Sequence, residues 1–192
     1  FRRSGNDLYV PACPGCSECV PVRILASQFV RSRNQQKTWN RNRDLVCRTL
    51  PPDYRDEHFE LYARYQKARH PGGGMDDPTP EEYIRFLASD WCETRFIEFR
   101  LHHKPIAVAV TDRLNNALSA VYTFFDPALR RRSLGTYAIL QQIEMTRELA
   151  CDWLYLGYWI RGSQKMQYKS RFRPMQAYRE GQWQFTDLST MG

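Results

Sequence analysis

Alternating hydrophobic and polar positions predict three consecutive strands in the middle of the chain. Residues 94–101 alternate strictly, residues 105–111 are rich in Ala and Val, and residues 117–125 form a third run with strand-forming side chains. Two short polar segments, His102-His103-Lys104 and residues 113–116, separate the runs as hairpin turns do. We therefore expect three antiparallel strands, the second of them buried.

Helical spacing predicts two helices ahead of these strands. Residues 56–69 repeat apolar side chains at the helical period. The second helix has a marked beginning, because Thr79 is a suitable N-cap, Pro80 fits the first turn and Glu82 stands where a capping box requires it. The connection 70–78, HPGGGMDDP, is rich in glycine and proline and is expected to be the most flexible in the chain.

The pattern on either side of this region completes the element order. Residues 1–19 have the composition of a loop, residues 20–29 carry the β-branched side chains of a strand, and residues 33–46 are polar and basic without Gly or Pro, which favours a helix. After the three strands, residues 130–149 predict a long amphipathic helix and residues 153–159, WLYLGYW, a buried strand.

This order predicts the fold class. Three antiparallel strands, a helix entered through a basic turn that contains a glycine, and a further strand are typical of an α+β, acetyltransferase-like (GNAT-type) fold with a mixed sheet flanked by helices. The break at Pro51-Pro52 precedes the change to the strand pattern. We therefore expect a small N-terminal cysteine-bearing module over residues 1–55 and a transferase-like domain over residues 56–192.

Charge and cysteine usage narrow the function classes. The 192 residues are 42% hydrophobic, which is typical of an ordered globular protein. Their formal net charge of +7 suits a nucleic acid or another anionic partner; the alternative is ordinary surface basicity without such a partner. No apolar run approaches the roughly 20 residues of a membrane span, so no membrane partner is expected. Three of the six cysteines are scattered and three are clustered, which favours a reducing compartment and a cytoplasmic location.

The clustered cysteines suggest a metal site. Cys13, Cys16 and Cys19 follow the spacing C-x2-C-x2-C, and thiolates at such intervals are able to converge on zinc or on an iron–sulfur cluster. The alternative is three reduced thiols in a turn. A fourth ligand would come from Cys47, from a segment that precedes Phe1, or from an exogenous group.

Two further segments suggest an anionic ligand. The turn before the long helix offers free backbone N–H groups, an arginine and a glycine that allows close approach, through Arg132, Ser133, Leu134, Gly135 and Thr136. An ordinary basic helix start is the alternative. Residues 155–174 interleave tyrosines with basic side chains, among them Lys165, Lys169 and Arg171, which suits a nucleic acid end. The alternative is a strand followed by a solvated basic helix, which would explain the charge but not the density of aromatic side chains.

A nucleophilic triad is not predicted. None of the four histidines stands beside an activated Ser or Cys, and His102-His103 has the character of an exposed pair in a hairpin turn. Cys151 precedes a core strand and is interpreted as a small buried hydrophobic residue.

Eight segments, taken together, carry a family resemblance. In chain order they are FRRSG, CPGC, VPVRI, SRNQ, VYTFFDP, RSLGTY, YLGYWI and KMQYKSRFRP. Over nearly the whole chain these segments resemble the bacterial aspartate/glutamate leucyltransferases of the arginyl-tRNA–protein transferase family. The resemblance implies transfer of leucine from leucyl-tRNA to the α-amine of proteins beginning with Asp or Glu, which marks them for N-end rule degradation. It implies charged tRNA and such proteins as partners, and no coenzyme A.

The resemblance also suggests roles for particular residues. Arg23, Arg33 and Lys37 are expected to bind the acidic side chain of the acceptor, because a buried carboxylate needs a cationic partner; their alternative role is surface charge or tRNA contact. Tyr158 and Tyr168 are expected nearest the ester, as stacking surface or proton donor, although Tyr158 equally suits a buried strand. The tRNA 3′ end would enter at the helix start and follow residues 155–173.

Three other functions stay open from the sequence. In the first alternative, the protein donates arginine instead of leucine. In the second, it is an acyl-CoA-dependent N-acetyltransferase, which would share the fold and the anion-binding turn. The alternative of another class is a non-enzymatic, metal-containing nucleic-acid-binding module.

Overall fold

The computed structural model describes residues 1–69 and 77–188 and contains one large mixed sheet. Most of the predicted flexible connection, residues 70–76, lies outside the described residues. A separate hairpin of β1 (Arg2–Ser4) and β2 (Asp7–Tyr9) precedes the sheet. The strands of the sheet are β3 (Val20–Leu25), β4 (Val46–Leu50), β5 (Glu93–Leu101), β6 (Lys104–Leu114), β7 (Ala117–Phe125), β8 (Trp153–Trp159), β9 (Met175–Arg179) and β10 (Gln182–Thr186). Their order is β10-β9-β3-β8-β7-β6-β5-β4.

The described ranges contain four α-helices; three of them pack against the sheet, and the first packs against the last. They are α1 (Arg33–Arg41), α2 (Asp56–Arg69), α3 (Pro80–Leu87) and α4 (Leu134–Glu148). The capping box predicted at Thr79 and Glu82 is present at the start of α3. Helix α1 ends at Arg41, five residues earlier than predicted, because the residues after it turn back and pair as β4 with β5.

The strand pattern of the sequence is largely confirmed. Strands β5, β6 and β7 cover the three predicted runs and are antiparallel, and His102 and His103 form an exposed turn with φ values of 45° and 70°. Strand β4 was not predicted. It is an edge strand whose residues are mostly exposed, so its sequence shows no hydrophobic alternation. The mixed α+β class with flanking helices is confirmed.

The sheet has a hydrophobic core on each face. On one face α2 and α3 cover alternate residues such as Phe96, Val108 and Val110, which are fully buried. On the other face α4 covers the intervening Ile97 and Ala109 and continues across β8 and β3. This period-two division of burial is the reason that the alternating sequence predicted the central strands.

The predicted boundary at residue 55 does not divide the sheet. Strand β3 lies between β8 and β9, and β4 pairs with β5, so strands from both sides of residue 55 share one set of hydrogen bonds. The N-terminal hairpin is also attached, because Arg3 forms a fully buried ion pair with Asp112 of β6 at 2.5 Å. Residues 1–55 and the rest are therefore one structural unit in the sheet, and the cysteine-bearing loop is the part that stands outside it.

Strands β7 and β8 are parallel and pair over only three residues. Ala117–Ser119 pair with Trp153–Tyr155, after which both strands continue without pairing to each other. Each carries a β-bulge near this point, with Val121 as the extra residue of β7 and Leu156 as the extra residue of β8. The two strands consequently separate toward their C-terminal ends and leave a gap in the middle of the sheet.

None of the helices in the described ranges is long and apolar enough to cross a bilayer.

Candidate active site

The gap between β7 and β8 contains the side chain of Arg2. Its Nη2 donates a hydrogen bond of 2.5 Å to the carbonyl oxygen of Val121. On the β8 side it packs against Gly157, whose φ of +74° lies in the region that glycine favours. A Cβ at residue 157 would lie 2.9 Å from Cδ of Arg2 and closer still to Nη1. Glycine is thus required there for its backbone conformation and for the space that Arg2 occupies.

Two cavities open on opposite faces of the sheet at this gap. Ser119 and Tyr155 line one of them, whereas the next residues, Ala120 and Leu156, line the other. Because successive side chains of a strand point to opposite faces, the cavities lie back to back. Arg2 lines both. We call the first the hairpin cavity, since β1 and β2 border it, and the second the α4 cavity.

The α4 cavity lies at the N-terminus of α4 and has a volume of about 590 Å³. Ser133 precedes the helix in a left-handed conformation (φ 53°) and makes no side-chain cap, and the first N–H groups of a helix have no intrahelical acceptor. Gly135 keeps the helix close to β7, because a Cβ there would lie 3.3 Å from the ring of Phe125. The helix start is therefore arranged as a site for an anion.

The side chains around the α4 cavity are cationic. Its charged lining residues are Arg2, Arg69, Arg130, Lys165 and Lys169. Within the described part of the chain, no Asp or Glu lines it, and none of these five cations forms an ion pair. An excess of positive charge around a helix N-terminus favours a ligand with several phosphate groups.

Lys169 differs from the other four cations because it is buried. Only 5% of its surface is exposed, and its Nζ donates a hydrogen bond to the carbonyl oxygen of Tyr158. Burial, and secondly the charge of Arg2, lowers the pKa of Lys169 to about 7. Lys169 is therefore not part of a solvated cationic track. It is an amine that changes charge near neutral pH inside the cavity.

The structure brings seven of the predicted site residues together around the α4 cavity. They are Ser133, Leu134, Gly135, Thr136, Lys165, Tyr168 and Lys169. Arg132 instead forms a bidentate ion pair with Asp44, at 2.9 and 2.8 Å, and this pair lowers the pKa of Asp44. Arg130 lines the cavity in its place. Arg171 does not line the cavity; its carbonyl oxygen accepts a hydrogen bond from Gln35 of α1.

The two tyrosines expected near the ester lie in different cavities. Tyr168 lines the α4 cavity, whereas Tyr158 lines the hairpin cavity and is 8% exposed. The bulge at Leu156 and the left-handed Gly157 shift the alternation of β8, so that Tyr158 follows Tyr155 onto the hairpin face. Burial raises the pKa of the Tyr158 phenol, with smaller contributions from Cys19 and Tyr9.

Three residues were predicted to bind the acidic side chain of the acceptor: Arg23, Arg33 and Lys37. In the described part of the chain they do not lie together at one site. Arg23 lies between the rings of Trp153 and Trp183, at 3.7 and 4.3 Å, and donates to Gln176 and to the hydroxyl of Tyr155. This guanidinium is held by its neighbours. Arg33 and Lys37 are exposed one turn apart on α1.

The cysteine loop shows no preassembled group of metal ligands among the described residues. Cys13 and Cys16 are exposed and bound in a turn through a backbone hydrogen bond of 3.1 Å, and no three Cys, His, Asp or Glu side chains in the described ranges are placed to hold a metal ion. Cys47 is excluded as the fourth ligand. It lies on β4, five strands from β3 at about 4.8 Å each, which no metal–thiolate bond spans. Zinc or an iron–sulfur cluster stays a prediction.

Sequence reasoning did not assign Arg2, Arg69 or Gly157 to the cavities, and it named Arg130 only as part of the basic turn before α4. A glycine inside a strand pattern indicates a bulge or a close backbone approach, so Gly157 carried a readable signal. The position of Arg2 beside it carried none, because the two residues are far apart in the chain. Arg69 is the last residue of α2 and Arg130 lies in a 3₁₀ helix, Pro127–Arg132, so only the tertiary fold brings them together.

Comparisons with known proteins show which sequences this chain is similar to. Two family patterns match, "Arginine-tRNA-protein transferase, N terminus" over residues 1–37 and "Arginine-tRNA-protein transferase, C terminus" over residues 57–179. An aspartate/glutamate leucyltransferase of Hahella chejuensis is 51% identical over 95% of this chain and 78% of its own length. Those of Nitrosococcus oceani and Thiobacillus denitrificans are each 50% identical, over 95% and 96% of this chain and 77% of their own length.

Solved structures share the fold at low sequence identity. The C-terminal domain of a putative lysylphosphatidylglycerol synthetase from Agrobacterium fabrum gives a TM-score of 0.57 at 13% identity, over 74% of this chain and 47% of that one. L-PGS from Bacillus licheniformis gives 0.56 at 9% identity, over 73% and 45%. At these identities the likeness concerns the fold alone.

Proposed function

The chain belongs to the arginine-tRNA-protein transferase family, and from this membership we propose that it transfers leucine from leucyl-tRNA to the α-amine of proteins that begin with Asp or Glu. The product carries a new N-terminal leucine, which marks the protein for the N-end rule pathway in the cytoplasm. The structural observation that supports the proposal best is the α4 cavity, with five cations and no carboxylate among its described lining residues.

The α4 cavity suits the 3′ end of a charged tRNA. Phosphates of the terminal nucleotides would meet the free N–H groups at the start of α4, together with Arg130 and Lys165. Single-stranded bases stack on aromatic rings, and Tyr168, which is 38% exposed, offers such a ring at the cavity wall. The leucyl ester would then lie toward the gap between β7 and β8.

The reaction needs no covalent intermediate on the protein. The nitrogen of the acceptor amine attacks the ester carbonyl carbon, a C–N bond forms, and the bond from that carbon to the ribose oxygen breaks. The proton that the amine loses is balanced by the proton that the ribose oxygen gains. Lys169, with a pKa of about 7, is suited to take the first proton, and the Tyr168 hydroxyl to donate the second. Both line the α4 cavity.

The arrangement around the gap also supports the acetyltransferase-like form of the fold. A parallel strand pair that separates beside a helix N-terminus provides a cleft for a donor with phosphate groups, and both an acyl-CoA and a tRNA 3′ end have them. Arg69 at the end of α2 and Lys165 after β8 extend the positive surface beyond the helix start, further than one small cofactor requires. This extent favours tRNA as the donor.

Single-turnover transfer tests the proposal. Purified leucyl-tRNA is mixed with the protein and a peptide that begins with Asp, and the peptide is followed by mass spectrometry. We expect the peptide to gain one leucyl residue at its α-amine, and an otherwise identical peptide with an acetylated N-terminus to remain unchanged. Release of free leucine without any modified peptide would contradict the proposal.

A further inference from the structure

Two adjacent arginines of β1 have opposite roles. Arg3 is fully engaged: its guanidinium forms an ion pair with Asp112 and also donates to Thr94 and to the carbonyl oxygen of Leu87. Its side chain is 2% exposed. Arg3 therefore anchors the hairpin to the sheet, and its charge is neutralised by a buried carboxylate.

Arg2 has no carboxylate partner among the described residues. Its guanidinium carries five N–H donors, and the hydrogen bond to the Val121 carbonyl uses one of them. The group is held between β7 and Gly157 and faces both cavities. A partly buried guanidinium is the side chain best suited to bind a carboxylate through two parallel hydrogen bonds.

The hairpin cavity has the size and lining of a site for a peptide N-terminus. Its volume is about 310 Å³, and apolar or aromatic side chains form most of its wall, including Pro21, Leu114 and Trp183. The one carboxylate among its lining residues, Asp112, is the partner of Arg3 and is not available to a ligand. At the mouth, Leu8 of β2 is 57% exposed and offers apolar surface to the residues that follow the first one of the peptide.

We infer that the hairpin cavity binds the N-terminus of the acceptor protein and that Arg2 binds the side-chain carboxylate of its first residue. This inference rests on the proposed function and identifies the acceptor site within it. Donor and acceptor approach the gap from opposite faces of the sheet. The carboxylate of an N-terminal Asp is separated from the α-amine by only two carbon atoms, so a carboxylate held by Arg2 places the amine at the opening toward the α4 cavity.

This assignment gives the acidic side chain a different partner from Arg23, Arg33 and Lys37. The donors of Arg23 are directed to Gln176 and Tyr155, and Arg33 and Lys37 lie on the exposed surface of α1. Arg2 also lines the α4 cavity, so contact with a tRNA phosphate is the competing role. The two roles are separable, because only a contact with the acceptor distinguishes Asp from Asn.

Equilibrium binding of peptides tests the inference without requiring turnover. Four peptides that differ only in the first residue, Asp, Asn, Glu or Gln, are titrated against the wild-type protein, Arg2→Gln, Arg2→Lys and the surface control Arg95→Gln. We expect the wild-type protein and the control to bind the acidic peptides about 100-fold more tightly than their amides. In Arg2→Gln this ratio should approach one through loss of affinity for the acidic peptides. In Arg2→Lys, which keeps the charge but loses the two parallel hydrogen bonds, the ratio should fall well below the wild-type value and remain above one.

The outcomes distinguish the possible roles of Arg2. An unchanged Asp-to-Asn ratio in Arg2→Gln overturns the inference. Unchanged affinity for all four peptides, together with weaker tRNA binding, assigns Arg2 to the tRNA instead. If the wild-type protein binds acidic peptides selectively but transfers no leucine, the proposed reaction fails while the acceptor site stands. Thermal unfolding of each variant is recorded, and Arg2→Lys carries the test if Arg2→Gln does not fold.

Discussion

Arg2 occupies the space that Gly157 leaves by lacking a side chain. A Cβ on residue 157 would lie 2.9 Å from Cδ and 3.1 Å from Cζ of Arg2, within the volume of that side chain. The contact joins the first strand of the chain to the bulge in β8, at the point where β7 and β8 separate. The N-terminal hairpin is therefore part of the site, and the position of its cation depends on a glycine in the middle of the sheet.

Substitution of Gly157 tests this dependence. Gly157→Ala adds a Cβ at a φ of +74° and displaces Arg2, so we expect a loss of about 1–2 kcal/mol in the free energy of unfolding and a strong loss of binding to acidic peptides. Gly181→Ala is the matched control, because residue 181 has a φ of +80° and open space around it. It should lose similar stability in urea and keep peptide binding. Equal peptide affinity in the two variants would contradict the role of the contact.

The neighbouring arginines before α4 should differ in their effect on tRNA. Arg130 lines the α4 cavity, whereas Arg132 is paired with Asp44 away from it. Arg130→Ala should weaken binding of charged tRNA and reduce the slope of log affinity against log salt by about one. Arg132→Ala should leave the slope unchanged. Affinities measured at several salt concentrations decide the question, and the reverse order of effects would remove the α4 cavity from the tRNA path.

Lys169 should make stability depend on pH above neutrality. Its pKa is about 7 in the folded protein, against an ordinary value of 10.5. Between these values the unfolded chain holds a proton that the folded chain has lost, so the free energy of unfolding rises with pH. The destabilising contribution is fully present below about pH 7 and disappears near pH 10.

The variant Lys169→Met isolates this contribution. The free energy of unfolding of the variant should exceed that of the wild-type protein by the largest amount at neutral pH. This difference should shrink as the pH rises toward 10, because Met does not titrate. Urea unfolding at a series of pH values measures the difference. A difference that is constant across the series would show that Lys169 keeps an ordinary pKa in the fold.

The buried pair of Arg3 and Asp112 should hold the N-terminal hairpin in place. Asp112→Asn leaves the Arg3 charge without its partner in a buried environment, and we expect a loss of about 3–5 kcal/mol in the free energy of unfolding. Glu93→Gln removes the exposed pair with Arg95 and should cost less than about 1 kcal/mol. Denaturant unfolding compares the two variants. A loss in Asp112→Asn no larger than in Glu93→Gln would contradict the anchoring role.

The sequence predicted those parts of the molecule that depend on local pattern. Alternation located β5, β6 and β7, capping residues located α3, and the RSLGT segment located the helix start at the α4 cavity. Strands β9 and β10 were not predicted, and the contact between Arg2 and Gly157 was not predictable, because it joins residues that only the completed sheet brings together. The sequence also did not predict that Arg132 would pair with Asp44 while Arg130 lines the α4 cavity, because Asp44 is distant from both in the chain.

Competition among donors tests the central claim most directly. The protein is incubated with a peptide that begins with Asp in a single mixture of leucyl-tRNA, arginyl-tRNA and acetyl-CoA, and the peptide is analysed by mass spectrometry. If the protein transfers leucine, the α-amine of the Asp peptide gains one leucyl residue, and the matched peptide that begins with Asn remains largely unmodified. A gain of arginine, a gain of an acetyl group, or equal modification of both peptides would contradict the account.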